Sequence, residues 1–518
     1  MKTYYKVAFL ALVLSVSSCN KIDDFIGGGG DDDTPDTPDP TNTNVNFQFA
    51  HTIDVGGEAS AEITAFDPNT NKIFVVNNDD ELGLNEITVY DITNINAPVQ
   101  ENSIDVSTIG APNSVAVANG LLAVAVEAPN KQALGSVLVY DTATQVLQSS
   151  YTVGALPDMV TFTPDGTTIL SANEGEPNEE YTVDPNGSVS IIDVASGTVT
   201  TLEFDGLSHF QENLEKNGFR IFGPNATFAS DIEPEFITVS EDSKTAYVAL
   251  QENNGLAVVD LETNTITEIW PLGYQDYSLP GNEIDPSDRD DIKELRNVPA
   301  LGIFQPDGIT SATINGVEYI VTANEGDARD YDAFSEEERA DDLLLDATIF
   351  PNAMDLQMDA NLGRLEVTTV NGDTDGDGDF DQIVSFGGRS FTIWDETGNR
   401  VYDSGNEIGS RTLALTPDRF NDNDGRSDAK GAEPESVAIL NLNDERYILF
   451  VGLERNDQVL VYDMTNPAAP EFIQLLANAN DEAPEGLLVI PASDSPSGKD
   501  LLLVSNEDSG TVTIYENK

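Results

Sequence analysis

The 518-residue chain is poor in the groups that most enzyme chemistries use. It has one Cys, so no disulfide can close within it, and two His, too few to build a His/Cys zinc centre. Basic residues are scarce as well. Only 24 Lys and Arg stand against 92 Asp and Glu, giving a net charge of −68 and an isoelectric point near 4.1. Nucleic acid and anionic membrane faces repel a protein of that charge, so neither is an expected partner. Hydrophobic residues still make up 39% of the chain, enough for a large core and too many for an acidic disordered tail. What is left is a folded acidic protein suited to binding cations.

Long hydrophobic runs are also lacking. The run Val7 to Val16 follows Lys2 and Lys6, ends in Ser17-Ser18-Cys19, and is too short to span a bilayer. It reads as an export signal. The sole Cys, in Val16-Ser17-Ser18-Cys19, stands where a bacterial lipobox places its lipid-modified residue. Residues 1–19 are therefore predicted to be a lipoprotein signal peptide, with Cys19 the lipidation site. The stretch Asn20 to Asp24 is similar to acidic tags that send lipoproteins to the outer face of the cell. Gly27–Gly30, Asp31–Asp33 and a Thr-Pro-Asp repeat follow, so residues 20–44 read as a flexible acidic tether. The expected product is a monomer at the bacterial outer membrane or cell surface, held there by the lipid alone, with its folded part at 45–518.

That folded part is repetitive. Alternating segments ending in an acid recur as Ile87–Asp91, Val137–Asp141, Val189–Asp193, Leu256–Asp260, Phe391–Asp395, Val459–Asp463 and Val512–Glu516. The first two intervals are 50 and 52 residues and the last is 53, a plausible length for a four-stranded propeller blade. Before each copy lies a second element, usually Pro followed by an acid or amide and an apolar run. The pattern predicts an all-β, seven-bladed β-propeller with long loop insertions. The last unit ends after its third strand, and Thr52-Ile-Asp-Val55 parallels Ser103-Ile-Asp-Val106, so the N-terminal strand is expected to complete the last blade. The alternative is eight blades, with residues 362–385 forming the extra one.

In an antiparallel hairpin the start of the first strand lies beside the end of the second. The starts are Glu62, Asn113, Asp158, Glu235, Asp307, Glu435 and Glu485; the ends are Asn78, Glu127, Glu174, Glu252, Glu325, Glu454 and Glu507. Two acidic rings on one propeller face follow. Like charges about 4 Å apart repel by roughly 1–4 kcal/mol, and hard oxygen-liganded cations, Ca²⁺ above all, relieve this. Asn173-Glu174-Gly175-Glu176 and Asn324-Glu325-Gly326-Asp327 each add a second acid, so Glu176 and Asp327 join the proposed metal ligands. The acids ending the third strands recur just as strictly and are expected only to make turns. A separate run, Asp373, Asp375, Asp377, Asp379 and Asp381, carries the front of a calcium loop, with Gly at the sixth place but Val384 where a hand would put Glu. Asp422, Asp424, Gly425 and Asp428 form a looser echo.

Familiar catalytic motifs are missing: no Gly-x-Ser-x-Gly, no Walker loop, no His-Glu-x-x-His. His51 and His209 read as structural or surface residues. Any chemistry would be metal-assisted hydrolysis.

The insertions carry a resemblance. Ile221-Phe-Gly-Pro224, Ile232-Glu-Pro-Glu235, Ser278-Leu-Pro-Gly-Asn282, Ala323-Asn-Glu-Gly-Asp-Ala-Arg-Asp-Tyr331 and Phe386-Gly-Gly-Arg-Ser-Phe391 resemble the choice-of-anchor I family. That family includes mesenchyme-specific cell-surface glycoproteins and bacterial proteins labelled alkaline phosphatases. The resemblance implies a surface propeller whose anchor varies, here the lipid on Cys19, and it transfers no catalytic residue. Two functional readings result. One is a Ca²⁺-dependent phosphoesterase acting on a phosphate ester, with Arg329 and Arg389 binding phosphate oxygens. The other is a non-catalytic calcium-loaded platform for a cell-surface ligand.

Overall fold

The computed structural model describes residues 45–79 and 82–518. The predicted signal peptide, Cys19 and the tether lie outside them. Within the described residues, each acid-ended repeat is the third strand of its own antiparallel sheet: Glu86–Asp91, Leu134–Asp141, Ser188–Asp193, Gly255–Asp260, Ser390–Asp395, Gln458–Asp463 and Thr511–Asn517. The segments predicted to lead each unit are the first strands: Thr64–Asp67, Pro112–Ala118, Pro157–Phe162, Pro234–Val239, Ile309–Ile314, Pro434–Leu442 and Pro484–Ile490. In chain order each packs on the next, and Pro484–Ile490 packs back on Thr64–Asp67, so the first strands close a cycle. This is the architecture of an all-β propeller.

The sheets bury both faces, which is why their middle strands read as nearly continuous apolar runs. In the third unit, Ile169 and Ile192 enter one layer with Val137, Val139 and Val153, while Leu170, Ala172, Val189 and Ile191 enter the next with Val248 and Ala257. Each fully buried aliphatic side chain contributes about 1.5–3 kcal/mol, so the layers between sheets hold the ring together.

The chain ends meet as expected. Phe47–Asp54 pairs antiparallel with Thr511–Asn517, Phe47 opposite Asn517 and Asp54 opposite Thr511. It completes a sheet whose other strands come from the C-terminus. Thr64, in the first sheet, and Ser505, in the last, share a hydroxyl hydrogen bond of 2.8 Å.

The long insertions build a separate five-stranded sheet from Tyr274–Asp276, Leu301–Ile303, Val384–Ser385, Glu366–Thr368 and Glu337–Arg339. Leu301 and Val384 pair in parallel, and Tyr277, Phe350, Leu362 and Leu365 form its own core. Residues 362–385, the alternative extra blade, give this sheet two short strands. Their Asp-Gly run is loop.

Candidate metal centre

The recurring Pro-acid pair has a backbone cause. Pro157 pairs with Asn173 and Met159 with Ala172, so Asp158 is an extra residue, a β-bulge at the strand start. The same register shift falls at Asn113, at Glu235-Phe236, at Glu435-Ser436 and at Glu485. Proline suits this place because it has no N–H to give to the ladder, and a bulge re-aims the side chain that follows. The residue before the proline is left-handed in four units: Leu156 (φ 46°), Gln305 (φ 45°), Glu433 (φ 49°) and Ala483 (φ 56°). Its carbonyl accepts the N–H of the acid that ends the second strand: Leu156 from Glu174 at 2.8 Å, Glu433 from Glu454 at 2.9 Å, Ala483 from Glu507 at 2.9 Å. Those bonds hold the two rings side by side.

The Asn-Glu-Gly motifs also gain a reason. The buried Asn173 amide donates to Ser188 O (3.1 Å) and Ser190 Oγ (3.0 Å), and Asn324 donates to Ser390 (3.0 Å) and Thr392 (2.8 Å), tying the second strand to the third. Gly326 has φ 96°, and a Cβ there would lie 2.2 Å from the Gly387 nitrogen, so only Gly fits.

The rings converge on a central cavity of about 550 Å³, whose wall includes Glu62, Asn113, Glu127, Asp158, Glu174, Asp307, Glu485 and Glu507. Two groups of three carboxylates repeat one geometry: first-strand acid, second-strand acid, and the first-strand acid of the next unit. They are Asp158, Glu174 and Glu235, and Asp307, Glu325 and Glu435, with ligand oxygens within 4.8 Å of one another in each.

Their surroundings differ. Lys430 puts its ammonium 2.7 Å from Glu325, 3.5 Å from Glu433 and 3.7 Å from Asp327. Glu325 also accepts from Gln251 at 2.9 Å. Among the described residues no donor or ion pair reaches the carboxylates of Asp158, Glu174 or Glu235; Lys131, at the cavity wall, pairs with Glu127 at 3.9 Å. Burial pushes Asp158 up to about 7, with repulsion from Asp307 and Glu176 adding to it. Glu174 is raised by burial and then by Glu235; Glu235 by burial and then by Glu252. Glu252 rises to about 8 through burial, is 6% exposed, and its Oε2 accepts no hydrogen bond. Lys131 offsets Asp158 and Glu174 only from beyond ion-pair distance, and hard carboxylate oxygens gathered with no cation in contact fit a divalent cation of the calcium class.

The other predicted ligands disperse. Glu176 lines the cavity and accepts the Tyr331 hydroxyl at 3.3 Å. Asp327 is turned outward, its side chain 53% exposed. Glu485 stands apart from both triads, raised by burial and by Glu507 and Glu62.

Both arginines expected to bind phosphate are placed in the scaffold instead. Arg329 is 2% exposed, bonded to Asp231 (2.8 Å) and Glu233 (2.7 Å), with its guanidinium 4.4 Å from the Phe222 ring centroid. Arg389, itself left-handed at φ 54°, donates to the carbonyls of Asp285 (2.9 Å), Ser427 (3.1 Å) and Ala429 (2.5 Å). A buried guanidinium needs such partners; they take both terminal nitrogens of each side chain, although Arg389 keeps Nε without a hydrogen bond.

The Asp373–Asp381 run is an exposed loop that gathers some of its acids. Asp373, Asp375 and Asp381 form one close group, and Asp379 and Asp381 form another with Asp346, which the motif does not contain. The Asp346 amide donates to the Phe380 carbonyl (3.0 Å), which brings that acid in. Asp377 joins neither group. In the looser echo, Asp428 is taken by Arg364 (2.8 Å) and Arg339 (3.0 Å). The third-strand acids make turns as expected: Asp91 accepts the Thr93 N–H (2.7 Å), Asp193 the Ser196 N–H (2.6 Å) and Asp260 the Thr263 N–H (2.9 Å).

The choice-of-anchor I domain signature matches residues 62–467, most of the chain. The chain belongs to the choice-of-anchor I family. The match opens on Glu62, the first acid of the ring, and includes both triads and Lys430 but not Glu485 and Glu507. Among curated proteins, Gigasin-3a of Magallana gigas is 31% identical over 189 residues, 31% of this chain and 66% of that protein, just short of two thirds of its length. Among solved structures, Kuenenia stuttgartiensis hydrazine synthase aligns at 12% identity over 89% of this choice-of-anchor I chain and 96% of its own, TM-score 0.48. The WD40 repeats of RRP9 align at 11% over 91% and 100%, TM-score 0.49. Scores at that level transfer nothing further.

Proposed function

We propose that this protein is a surface-displayed, seven-bladed propeller that binds a divalent cation, calcium by its all-carboxylate chemistry, at Asp158, Glu174 and Glu235. One observation carries the reading. Of two triads built alike, one has Lys430 ion-paired to its Glu325, while the other has no cation in contact, only Lys131 farther along the cavity wall. Repulsion among three buried carboxylates makes an ion at the second favourable, and the oxygen-only donor set selects a hard one. The Asp373–Asp381 loop with Asp346 is a second, peripheral calcium site in this scheme. The family and the lipobox support display at the cell surface through Cys19.

Binding is favoured over phosphoester hydrolysis. The hydrolytic reading relied on Arg329 and Arg389 for phosphate, and both are buried in other contacts. A rigid ring with a metal-centred cavity suits capture of a cell-surface ligand. Calcium titration calorimetry on the full chain, run beside a phosphate mono- and diesterase assay, tests this. Tight calcium binding that loses one equivalent in Asp158→Asn, without turnover, supports it. Calcium-dependent turnover, or calcium binding indifferent to Asp158→Asn, refutes it.

A further inference from the structure

Beside the central cavity lies a second of about 610 Å³, sharing Lys131 and Glu176 with it. The size falls in the roughly 300–1,000 Å³ range of ligand cavities. Its wall is acidic, with Glu179, Glu180, Glu252 and Asp330 beside Glu176, and none of these five has an ion pair among the described residues. Arg329, which also reaches this wall, is ion-paired with Asp231 and Glu233 behind it and offsets Glu252 only from beyond ion-pair distance. Glu252 is the deepest acid, 6% exposed, with Oε2 accepting no hydrogen bond.

None of these acids falls in a group of three able to share one ion, so the cavity is not arranged for a bare metal. It has an aromatic side instead. Tyr331 lines it and donates to Glu176 at 3.3 Å. Tyr181 packs edge-on against Tyr331, ring centroids 5.3 Å apart at 87°, and against Phe334 at 5.9 Å. A fixed aromatic face beside unpaired carboxylates is the chemistry that holds an organic cation: the ring attracts charge and apolar stem together, and the carboxylate neutralises the head.

We infer that this cavity receives the ammonium or guanidinium of a lysine- or arginine-bearing peptide segment, with Glu252 at its floor and Tyr331 along its stem. The inference does not depend on the metal site.

The test is calorimetric titration of the full chain with an end-capped tetralysine peptide at physiological ionic strength, with calcium present throughout. Saturable binding is expected, weakened about tenfold by Glu252→Gln and by Tyr331→Ala separately. Asp260→Asn, which removes the same charge at a strand-end turn, is expected to leave it unchanged. No saturable binding to the unmodified chain overturns the inference. So does equal weakening by Glu252→Gln and Asp260→Asn, which would reduce the effect to the overall charge of −68, or binding indifferent to both cavity variants.

Discussion

Lys430 reaches 2.7 Å from Glu325, and Glu174, which occupies the corresponding place two units earlier, has no such partner. Lys430 comes from the insertion before the sixth sheet, outside the repeat. It acts as a tethered cation, ion-paired with Glu325, Glu433 and Asp327 and offsetting Asp307 and Glu454 nearby. The central cavity is thus asymmetric although the ring that builds it is repetitive.

Replacing Lys430 by Met is expected to leave the triad acid Glu325 uncompensated beside Asp307, while Glu433 and Glu454 keep Arg426 and Arg455, at a cost of about 3–5 kcal/mol in chelator. Calcium should restore much of that stability and bind with one additional equivalent. Urea unfolding with and without calcium, paired with calorimetric stoichiometry, reads both.

The metal-free protein should become less stable as pH rises. Asp158 is held at about 7 and Glu252 and Glu454 at about 8, above the ordinary carboxyl values of about 4. Between those values the folded chain binds more protons than the unfolded chain, so the stability is fully present below about pH 4, falls as pH climbs, and is lost once pH has passed through 7 to 8. Calcium at the triad should reverse the trend, because it binds the ionised form. Melting curves from pH 5 to 9, with chelator and with calcium, show whether the slopes have opposite sign.

How much of this the sequence discloses depends on the kind of signal. Repeat spacing and alternation mark the leading and acid-ended strands of each unit, and the Thr52–Val55 parallel locates the closure, because these follow from local periodicity. The Pro-acid pairs locate the ring acids for the same reason. What periodicity does not contain is the partner each charge meets. Arg329 stands in an exposed-looking acidic loop, yet Asp231 and Glu233, about a hundred residues earlier, bury it. Lys430 and Asp346 bear no motif at all; scarcity of bases was the available hint for Lys430, and the sequence supplies none for Asp346.

Arg329 should therefore behave as a scaffold residue. Arg329→Met is expected to lower stability by about 3–5 kcal/mol, since it strands two buried carboxylates, while calcium stoichiometry stays unchanged. Urea midpoints and calorimetry on the same preparation separate the two effects.

Asp381 belongs to both acid groups of the insertion loop and accepts the Thr374 N–H at 2.9 Å. Asp381→Asn is expected to weaken calcium at that loop by about 100-fold or more. Hydrogen exchange across residues 372–382 should slow on adding calcium to the unmodified chain and not in the variant.

The most direct measurement is anomalous diffraction from crystals of the full chain loaded with a lanthanide in place of calcium. A peak among Asp158, Glu174 and Glu235, with the Lys430 ammonium still paired to Glu325, is the expected result. No peak at the first triad, or a peak at the second with Lys430 displaced, contradicts the account.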